Sequence, residues 1–144
     1  MGRAATVYQR KDKIFCHSSS QTDAGIWILT EPALVVSRDD PDAVGGMVRE
    51  CLSHSRTGLP HPTDFRNLFK PILDLAGMKS VAAFSKDAKC VSIEQGDEGE
   101  VFLIPTRNGG KNEGFVPLAD KIVRLAAIPD DFGKEILSAI DLCE

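Results

Sequence analysis

The order of hydrophobic and polar residues divides the chain into three stretches with different periods. In the first, up to residue 36, short apolar runs are separated by polar turns, and this pattern predicts β-strands that begin with a hairpin. A polar loop is expected at 18–23. Glu31-Pro32 should break the later strand segments and mark a turn or a sheet edge, because proline cannot donate a ladder hydrogen bond. The predicted strands cover residues 6–10, 14–17, 26–30 and 34–36.

The middle stretch has the period of an α-helix. Asp39 or Asp40 is expected to cap the first helix, with Pro41 in its first turn, where the missing N–H does no harm. Gly45-Gly46 lies inside this helix at a cost of about 1 kcal/mol per glycine relative to alanine, which close packing against another element would explain. The apolar stripe of the helix comprises Val44, Met47, Val48, Cys51 and Leu52.

A second helix is expected to start near Thr63-Asp64 and to run to Ala76. Gly77 provides a natural C-terminal stop, because glycine readily adopts the left-handed conformation found at helix ends. Pro71 lies in the middle of this segment and predicts a kink or a restarted helix, since a proline inside a helix removes one backbone hydrogen bond.

In the last stretch the pattern alternates again and predicts a three-stranded antiparallel meander. A loop follows at 105–114, and an edge strand or a short helix is expected within 115–125. The chain then closes with a clear helix from Pro129 or Asp130 to Cys143, whose apolar residues recur at helical spacing. The strands of the meander are predicted at 80–84, 90–93 and 101–104.

The grouping of strands and helices favours one fold class. Strands, two helices, further strands and a closing helix are typical of an α+β protein, and not of the alternating βαβ units of a nucleotide-binding sheet. We therefore predict a single domain over residues 1–144, with a mainly antiparallel sheet and about three helices packed against it. The length agrees, since about 150 residues per domain is the usual expectation.

Composition excludes several classes of protein. With 42% hydrophobic and 26% charged residues, the chain has the profile of an ordinary globular domain. Its 17 basic and 21 acidic residues leave a net charge of −4, which argues against a dedicated nucleic-acid binder. No apolar run approaches the ~18 residues of a membrane span, and the start MGRAATVYQRKDK is not typical of a secretory signal. We expect a cytoplasmic protein that binds neither membranes nor nucleic acid directly.

The sequence contains no recognised catalytic motif and no closely spaced metal-ligand pair. We therefore expect no enzymatic activity, no metal and no other cofactor. Cys51 and His54 have a spacing that would place them on one helix face, yet a thiolate among apolar neighbours is costly, so a buried thiol is the favoured interpretation. The same interpretation extends to the other cysteines, Cys16, Cys90 and Cys143.

Acidic residues are concentrated in two short segments that contain no base. Each segment raises the local negative potential and would speed the encounter with a basic partner. We predict that these seven residues bind a basic protein; a solvated surface that only confers solubility is the alternative. The first segment, between two predicted strands, contains Glu94, Asp97, Glu98 and Glu100. The second, before the first predicted helix, contains Asp39, Asp40 and Asp42.

The second half of the chain, roughly residues 77–143, resembles a known family. The segments that carry the resemblance are Gly77-Met-Lys-Ser-Val-Ala-Ala-Phe84, Val91-Ser-Ile93, Ile104-Pro-Thr106, Gly114-Phe-Val-Pro117 and the closing helix. In the order of these segments the chain is similar to the CdiI immunity proteins of contact-dependent growth inhibition systems.

This resemblance implies a cytoplasmic protein that binds the C-terminal toxin domain of a CdiA-type effector and covers its active site. A monomer that forms a 1:1 complex with its toxin is expected. Many such toxins are nucleases, often acting on tRNA, and a nuclease needs a basic surface to hold phosphates, which suits an acidic inhibitor. The family has no catalytic motif, so the resemblance implies no catalytic residue.

Two other functions remain open at this point. One is an acidic chaperone for a secreted effector, which predicts a stable homodimer through an apolar face. The other is a small enzyme that uses Cys51 or a carboxylate pair.

Overall fold

Side chains alternate along the first strands and create two apolar faces, so the sheet needs cover on both sides. In the computed structural model, which describes residues 2–144, seven antiparallel strands form one sheet, and helices pack on each face. The predicted α+β class is confirmed. Three helices have seven residues or more, and the described part of the chain adds two shorter ones.

The strands do not lie in the sheet in sequence order. The elements in chain order are β1 (Arg3–Arg10), β2 (Lys13–Gln21), β3 (Trp27–Ser37), α1 (Pro41–Ser53), α2 (Lys70–Ala76), α3 (Val81–Ser85), β4 (Lys89–Gln95), β5 (Val101–Asn108), α4 (Gly110–Glu113), β6 (Phe115–Pro117), a 3₁₀ turn (Ala119–Lys121), β7 (Val123–Leu125) and α5 (Phe132–Asp141). The order across the sheet is β3-β2-β1-β4-β5. Both β6 and β7 pair with β5, one near its end and the other near its start.

The first face of the sheet carries the larger core. Helices α1 and α5 lie across it and contact each other, and their apolar stripes pack on buried strand residues such as Val7, Ile14 and Ile93. Full burial of a side chain of this size contributes roughly 1.5–3 kcal/mol. This face therefore supplies more of the stability than the second, where fewer side chains are fully buried.

On the second face, α2 and α3 cover a smaller aromatic core. Phe15, Ile72 and Phe84 are buried there. The ring of Tyr8 meets Phe84 at 5.4 Å and Phe69 at 5.6 Å, both edge to face. This arrangement aligns the positive edge of one ring with the negative face of the next. The aromatic core therefore holds α2 and α3 over the middle of the sheet.

The signals predicted for the first and last helices are confirmed. Asp40 caps α1, because its carboxylate accepts a hydrogen bond from the N–H of Ala43 at 3.1 Å, and Pro41 begins the helix. At the far end of the chain, α5 occupies most of the segment predicted as the closing helix. Local capping and apolar spacing were sufficient to predict these two elements.

The polar loop expected at 18–23 is wrong. Residues 18–21 continue β2, and the serines among them are buried. The hydroxyl of Ser20 finds partners, because Ser20 Oγ lies 2.8 Å from Thr30 Oγ1 and accepts the backbone N–H of Arg56. Ser18 Oγ is buried without a hydrogen-bond partner. A paired hydroxyl can be buried at little cost, and this favours an inner strand in spite of the polar sequence.

The strand break expected at Glu31-Pro32 is also wrong. β3 runs through it, since Thr30 pairs with Ser18 and Ala33 pairs with His17, and the two residues between them form a bulge. The expected edge position is confirmed, because β3 lies at the outside of the sheet. An edge strand tolerates proline, since the missing N–H is not needed by a second neighbour.

The second predicted helix begins later than expected. It starts at Lys70 and not near Thr63-Asp64, so Pro71 occupies the first turn of α2 and causes no kink. A proline fits this position because its fixed φ suits the helix and its absent N–H would be unpaired anyway. Gly77 ends α2 in the left-handed conformation (φ 67°), as predicted.

The strand expected at 80–84 is a helix. The hydroxyl of Ser80 accepts a hydrogen bond from the N–H of Ala83 at 3.1 Å and caps α3. The meander is therefore formed by β4, β5 and β7 instead. The edge strand expected within 115–125 is present as two short strands, β6 and β7.

Close packing explains one of the two glycines in α1. A Cβ on Gly45 would stand 2.9 Å from the backbone nitrogen of Gly133 in α5, closer than real Cβ atoms approach. A Cβ on Gly133 would stand only 1.7 Å from the carbonyl oxygen of Pro41. Gly46, by contrast, faces open space. The backbones of α1 and α5 therefore touch at Gly45 and Gly133.

Gly133→Ala should destabilise the protein by about 1–3 kcal/mol, because the added methyl group separates α1 from α5. Gly46→Ala is the matched control. It should raise the free energy of unfolding by roughly 0.5–1 kcal/mol, since alanine favours the helix and nothing obstructs it. Urea unfolding measures both changes. A Gly133→Ala protein as stable as the parent would contradict the backbone contact.

Candidate protein-binding surface

Helices α2 and α3 leave part of the second face of the sheet uncovered. The strand register places two rows of side chains on this open area, because directly opposite residues point to the same side. Several of these side chains reach solvent, and Glu94 and Arg124 are exposed. One row consists of Ser19, Ala4, Glu94, Phe102 and Arg124, and the other of His17, Thr6, Ser92 and Ile104.

A groove of about 400 Å³ lies at the β3 side of this open area. Its floor is polar and its walls are apolar, and no charged residue lines it. Three wall residues are unusually exposed for their type: Ile26 (48%), Trp27 (43%) and Phe65 (47%). The floor is formed by Thr6, His17 and Ser19, and the remaining lining residues are Tyr8, Ile28, Leu29, Leu68 and Phe69.

Two distant chain segments form the walls, and a short set of contacts joins them. The turn before β3 closes where Thr22 Oγ1 accepts the N–H of Ile26 at 3.3 Å. The same oxygen lies 3.1 Å from Nδ1 of His61, and the ring of His61 meets Phe65 at 5.3 Å. Phe65 is thus connected to the Trp27 wall through His61 and Thr22.

His17 is the one ionisable residue in the floor of the groove whose charge could change near neutral pH. Its Nδ1 lies 2.9 Å from the carbonyl oxygen of Ser18, which can only accept, so Nδ1 carries the proton. Burial lowers the pKa of His17 to about 4, against the weaker opposite effect of this hydrogen bond. The ring is therefore neutral at pH 7 and presents Nε2 as an acceptor.

The first predicted acidic segment lies next to this open area. Glu94 stands on β4, and Asp97 and Glu98 are exposed in the turn between β4 and β5. Glu100 is half-buried, and its carboxylate folds back over Gly96, where a Cβ would meet it. The exposed carboxylates of Glu94 and Glu98 therefore contribute more to the surface potential than Glu100 does.

The second acidic segment, Asp39, Asp40 and Asp42, lies at the opposite end of the sheet. At one end of β1, Arg3 pairs with β4 beside the acidic turn. At the other end of β1, Arg10 pairs with Lys13 of β2. Lys13 in turn pairs with the end of β3, just before the second acidic segment. Seven strand residues of about 3.4 Å each separate the two ends, so about 24 Å lies between the segments. The structure does not bring the two acidic segments together.

The Cys51 and His54 side chains do not form a reactive pair. Cys51 is fully buried and its thiol lies 3.7 Å from the carbonyl oxygen of Pro32. His54 is exposed, and its Nδ1 lies 3.0 Å from the carbonyl oxygen of Glu50. Burial also raises the pKa of the Cys16 thiol well above its ordinary value, which disfavours a thiolate. The prediction of buried thiols is confirmed for Cys16, Cys51 and Cys90, whereas Cys143 is only half-buried.

Two further searches bear on function. In the part of the chain that the structure describes, no group of three or more His, Cys, Asp or Glu side chains is arranged to hold a metal ion. Over residues 2–144, no helix has both the length and the apolar character needed to cross a membrane.

The groove was not predicted from the sequence. Phe65 was expected on a helix, and Trp27 was expected in a strand, with no reason to place them together. The available signal was an apolar run, Ile26-Trp-Ile-Leu29, directly after a polar turn on a strand expected at an edge. Such a strand leaves apolar side chains exposed that an inner strand would bury.

Two solved structures share this fold. A protein of unknown function from Neisseria meningitidis is 17% identical, with a TM-score of 0.78 over all of this chain and 96% of that one. The CdiA-CT/CdiI toxin and immunity complex from Yersinia pseudotuberculosis contains a chain that is 22% identical, with a TM-score of 0.79 over all of this chain and 98% of that one. No curated protein matches the sequence. These similarities show that the α+β fold of this chain is the fold of both solved structures.

Family membership follows from the sequence itself. The family model described as "CdiI: CDI immunity protein" matches residues 4–143. The chain therefore belongs to the CdiI immunity protein family. The resemblance predicted from residues 77–143 is confirmed, and the match extends it through the first half of the chain.

The buried state of His17 predicts a pH dependence of stability. Between pH 6.5 and about 4 the unfolded chain binds a proton at this residue that the folded protein does not bind. The contribution of His17 to the free energy of unfolding should therefore be fully present above pH 6.5. It should fall by up to about 3 kcal/mol as the pH drops towards 4. His17→Asn should flatten this part of the curve, with urea unfolding at several pH values as the measurement. Parallel curves for the two proteins would show that His17 is protonated in the folded state.

Proposed function

We propose that this CdiI protein neutralises the C-terminal toxin domain of a CdiA-type effector by binding it 1:1 in the cytoplasm and covering its active site. The family match over residues 4–143 carries the proposal. A structural neighbour that was solved as a CdiA-CT/CdiI complex supports it further. The open half of the second sheet face supplies a surface on which a partner could lie without disturbing the core.

We propose further that the toxin is a nuclease, with tRNA as the favoured substrate. A nuclease binds phosphates through Lys and Arg, so its active-site cleft is basic. A partner of net charge −4 with exposed carboxylates beside its open face is suited to occupy or shield such a cleft. The acidic residues would set the rate and orientation of the encounter, while a buried apolar cluster would supply most of the affinity.

Among the seven acidic residues, the group on the β4–β5 hairpin is the stronger candidate for toxin contact. Glu94 shares a sheet row with the open face. Asp40, in the other group, already has a structural role as the cap of α1.

The proposed role is tested by co-expression with the CdiA C-terminal toxin domain encoded next to this gene. The chain should restore growth, co-purify with the toxin in equal amounts, and stop cleavage of tRNA by the purified toxin at a 1:1 ratio. An unrelated CdiI protein serves as the control and should restore nothing. Failure to bind would contradict the immunity role, whereas binding with cleavage of DNA only would contradict the choice of tRNA.

The steering role of the hairpin is tested by charge reversal. Glu94→Lys/Glu98→Lys should lower the association rate with the toxin about tenfold at 10 mM salt, and the deficit should shrink at 500 mM, where the Debye length is only a few ångströms. Asp39→Lys/Asp42→Lys changes the net charge equally and is the matched control. Stopped-flow or surface-plasmon measurements give both rates. Equal association rates for the two variants would remove the hairpin from the interface.

A further inference from the structure

The apolar groove is the least explained feature of the molecule. Seven large hydrophobic side chains in residues 2–144 are substantially exposed, and three of them, Ile26, Trp27 and Phe65, line this one groove. Single exposed apolar residues are normal on a soluble protein, but a cluster around a concave site marks an interaction surface. Trp27 and Phe65 are also residue types that often carry binding energy at interfaces.

The groove is continuous with the acidic hairpin. Ser19 on the groove floor, Ala4 and Glu94 lie directly opposite one another on β2, β1 and β4. With about 4.8 Å between neighbouring strands, Glu94 lies about 10 Å from the floor on the same face of the sheet. Arg3 is a neighbour in sequence of Ala4, but alternation directs it away from Glu94 to the other face of the sheet, where it lines a hollow with Asp97 of the acidic turn. A partner seated in the groove therefore meets a carboxylate next to it.

We propose that this groove anchors the toxin domain: an apolar side chain of a basic segment of the toxin inserts between Trp27 and Phe65, and flanking bases of that segment meet Glu94 and the acidic turn. This inference rests on the proposed immunity function and names the surface that performs it. The groove is open and pre-formed, since contacts of Thr22 and His61 already hold its two walls together.

Polar groups on the floor add selectivity. Neutral His17 presents Nε2 as an acceptor, and Thr6 and Ser19 border it. A partner that covers these atoms without offering hydrogen bonds leaves buried polar groups unpaired, which weakens binding. The groove therefore favours an anchor that is apolar with a donor at its tip.

Charge favours a basic toxin over a second copy of this chain as the occupant. In a two-fold dimer built on the groove, the Glu94 rows of both copies would lie beside the same interface. Each chain has a net charge of −4, so the carboxylates would repel each other. A basic partner converts the same residues into attractive contacts.

The groove is tested by truncation of its walls. Trp27→Ala and Phe65→Ala should each weaken toxin binding about 30-fold or more, as is typical of central anchor residues. Leu142→Ala is the matched control, since Leu142 is also exposed (39%) but follows α5, which packs on the other face of the sheet. Titration calorimetry with the purified toxin domain gives the affinities, and urea unfolding verifies that all variants are folded.

The outcomes separate this inference from the proposed function. If the parent chain binds the toxin and both wall variants bind equally well, the groove is not the anchor, although the immunity role stands. If the parent chain does not bind the toxin, the proposed function itself is lost. Sedimentation of the free protein gives a third readout, because a dimer that Trp27→Ala converts to a monomer would assign the groove to a second copy and overturn the inference.

A second measurement needs no substitution in the groove. Trp27 is the only tryptophan of the chain, so incorporation of 5-fluorotryptophan gives a single ¹⁹F resonance from the groove wall. Unlabelled toxin contributes no signal. Saturation with toxin should shift this resonance and protect it from a soluble paramagnetic agent. A resonance that stays unchanged and equally accessible in the complex would overturn the proposal.

Discussion

The backbone contact between α1 and α5 is the constraint on which the rest of this structure depends. Gly45 and Gly133 allow the two helices to approach closely enough to cover the first face of the sheet with a single layer. Most fully buried side chains belong to that layer. Because one face supplies so much of the stability, the second can remain partly uncovered by α2 and α3. An uncovered sheet face is what a binding protein needs.

The open face separates two contributions to binding in space. In the proposed complex, long-range attraction would come from carboxylates on the β4–β5 hairpin, which act over about one Debye length and weaken with salt. Short-range affinity would come from apolar wall residues that exclude water, and salt would hardly affect it. The two lie about 10 Å apart on one surface, close enough for a single partner segment to use both. An acidic surface without the groove would give fast association and weak complexes.

Local signals in the sequence predict those parts of the fold that local interactions determine. Asp40 and Pro41 define the start of α1, and the stripe of α5 is clear from spacing alone. The buried strand at residues 18–21 could not be predicted, because the partners of the Ser20 hydroxyl, Thr30 and Arg56, lie ten or more residues away in the chain. The groove is harder still, since its walls come from segments almost forty residues apart in the chain. The acidic hairpin was visible in the sequence, but its distance from the second acidic segment was not.

Stability and recognition use different residues in this protein. Gly133 cannot accept a methyl group without moving a helix, whereas Trp27 and Phe65 are nearly half-exposed and belong to neither buried core cluster. Changes in the groove walls should therefore alter the choice of partner at small cost to folding, because surface substitutions usually change stability by under about 0.5 kcal/mol. The floor differs, since His17 and Ser19 are buried, His17 Nδ1 bonds the carbonyl oxygen of Ser18, and the carbonyl oxygen of Ser19 accepts the hydroxyl of Ser55. In the proposed complex, selectivity for the toxin would therefore lie in a few exposed side chains around a buried polar floor.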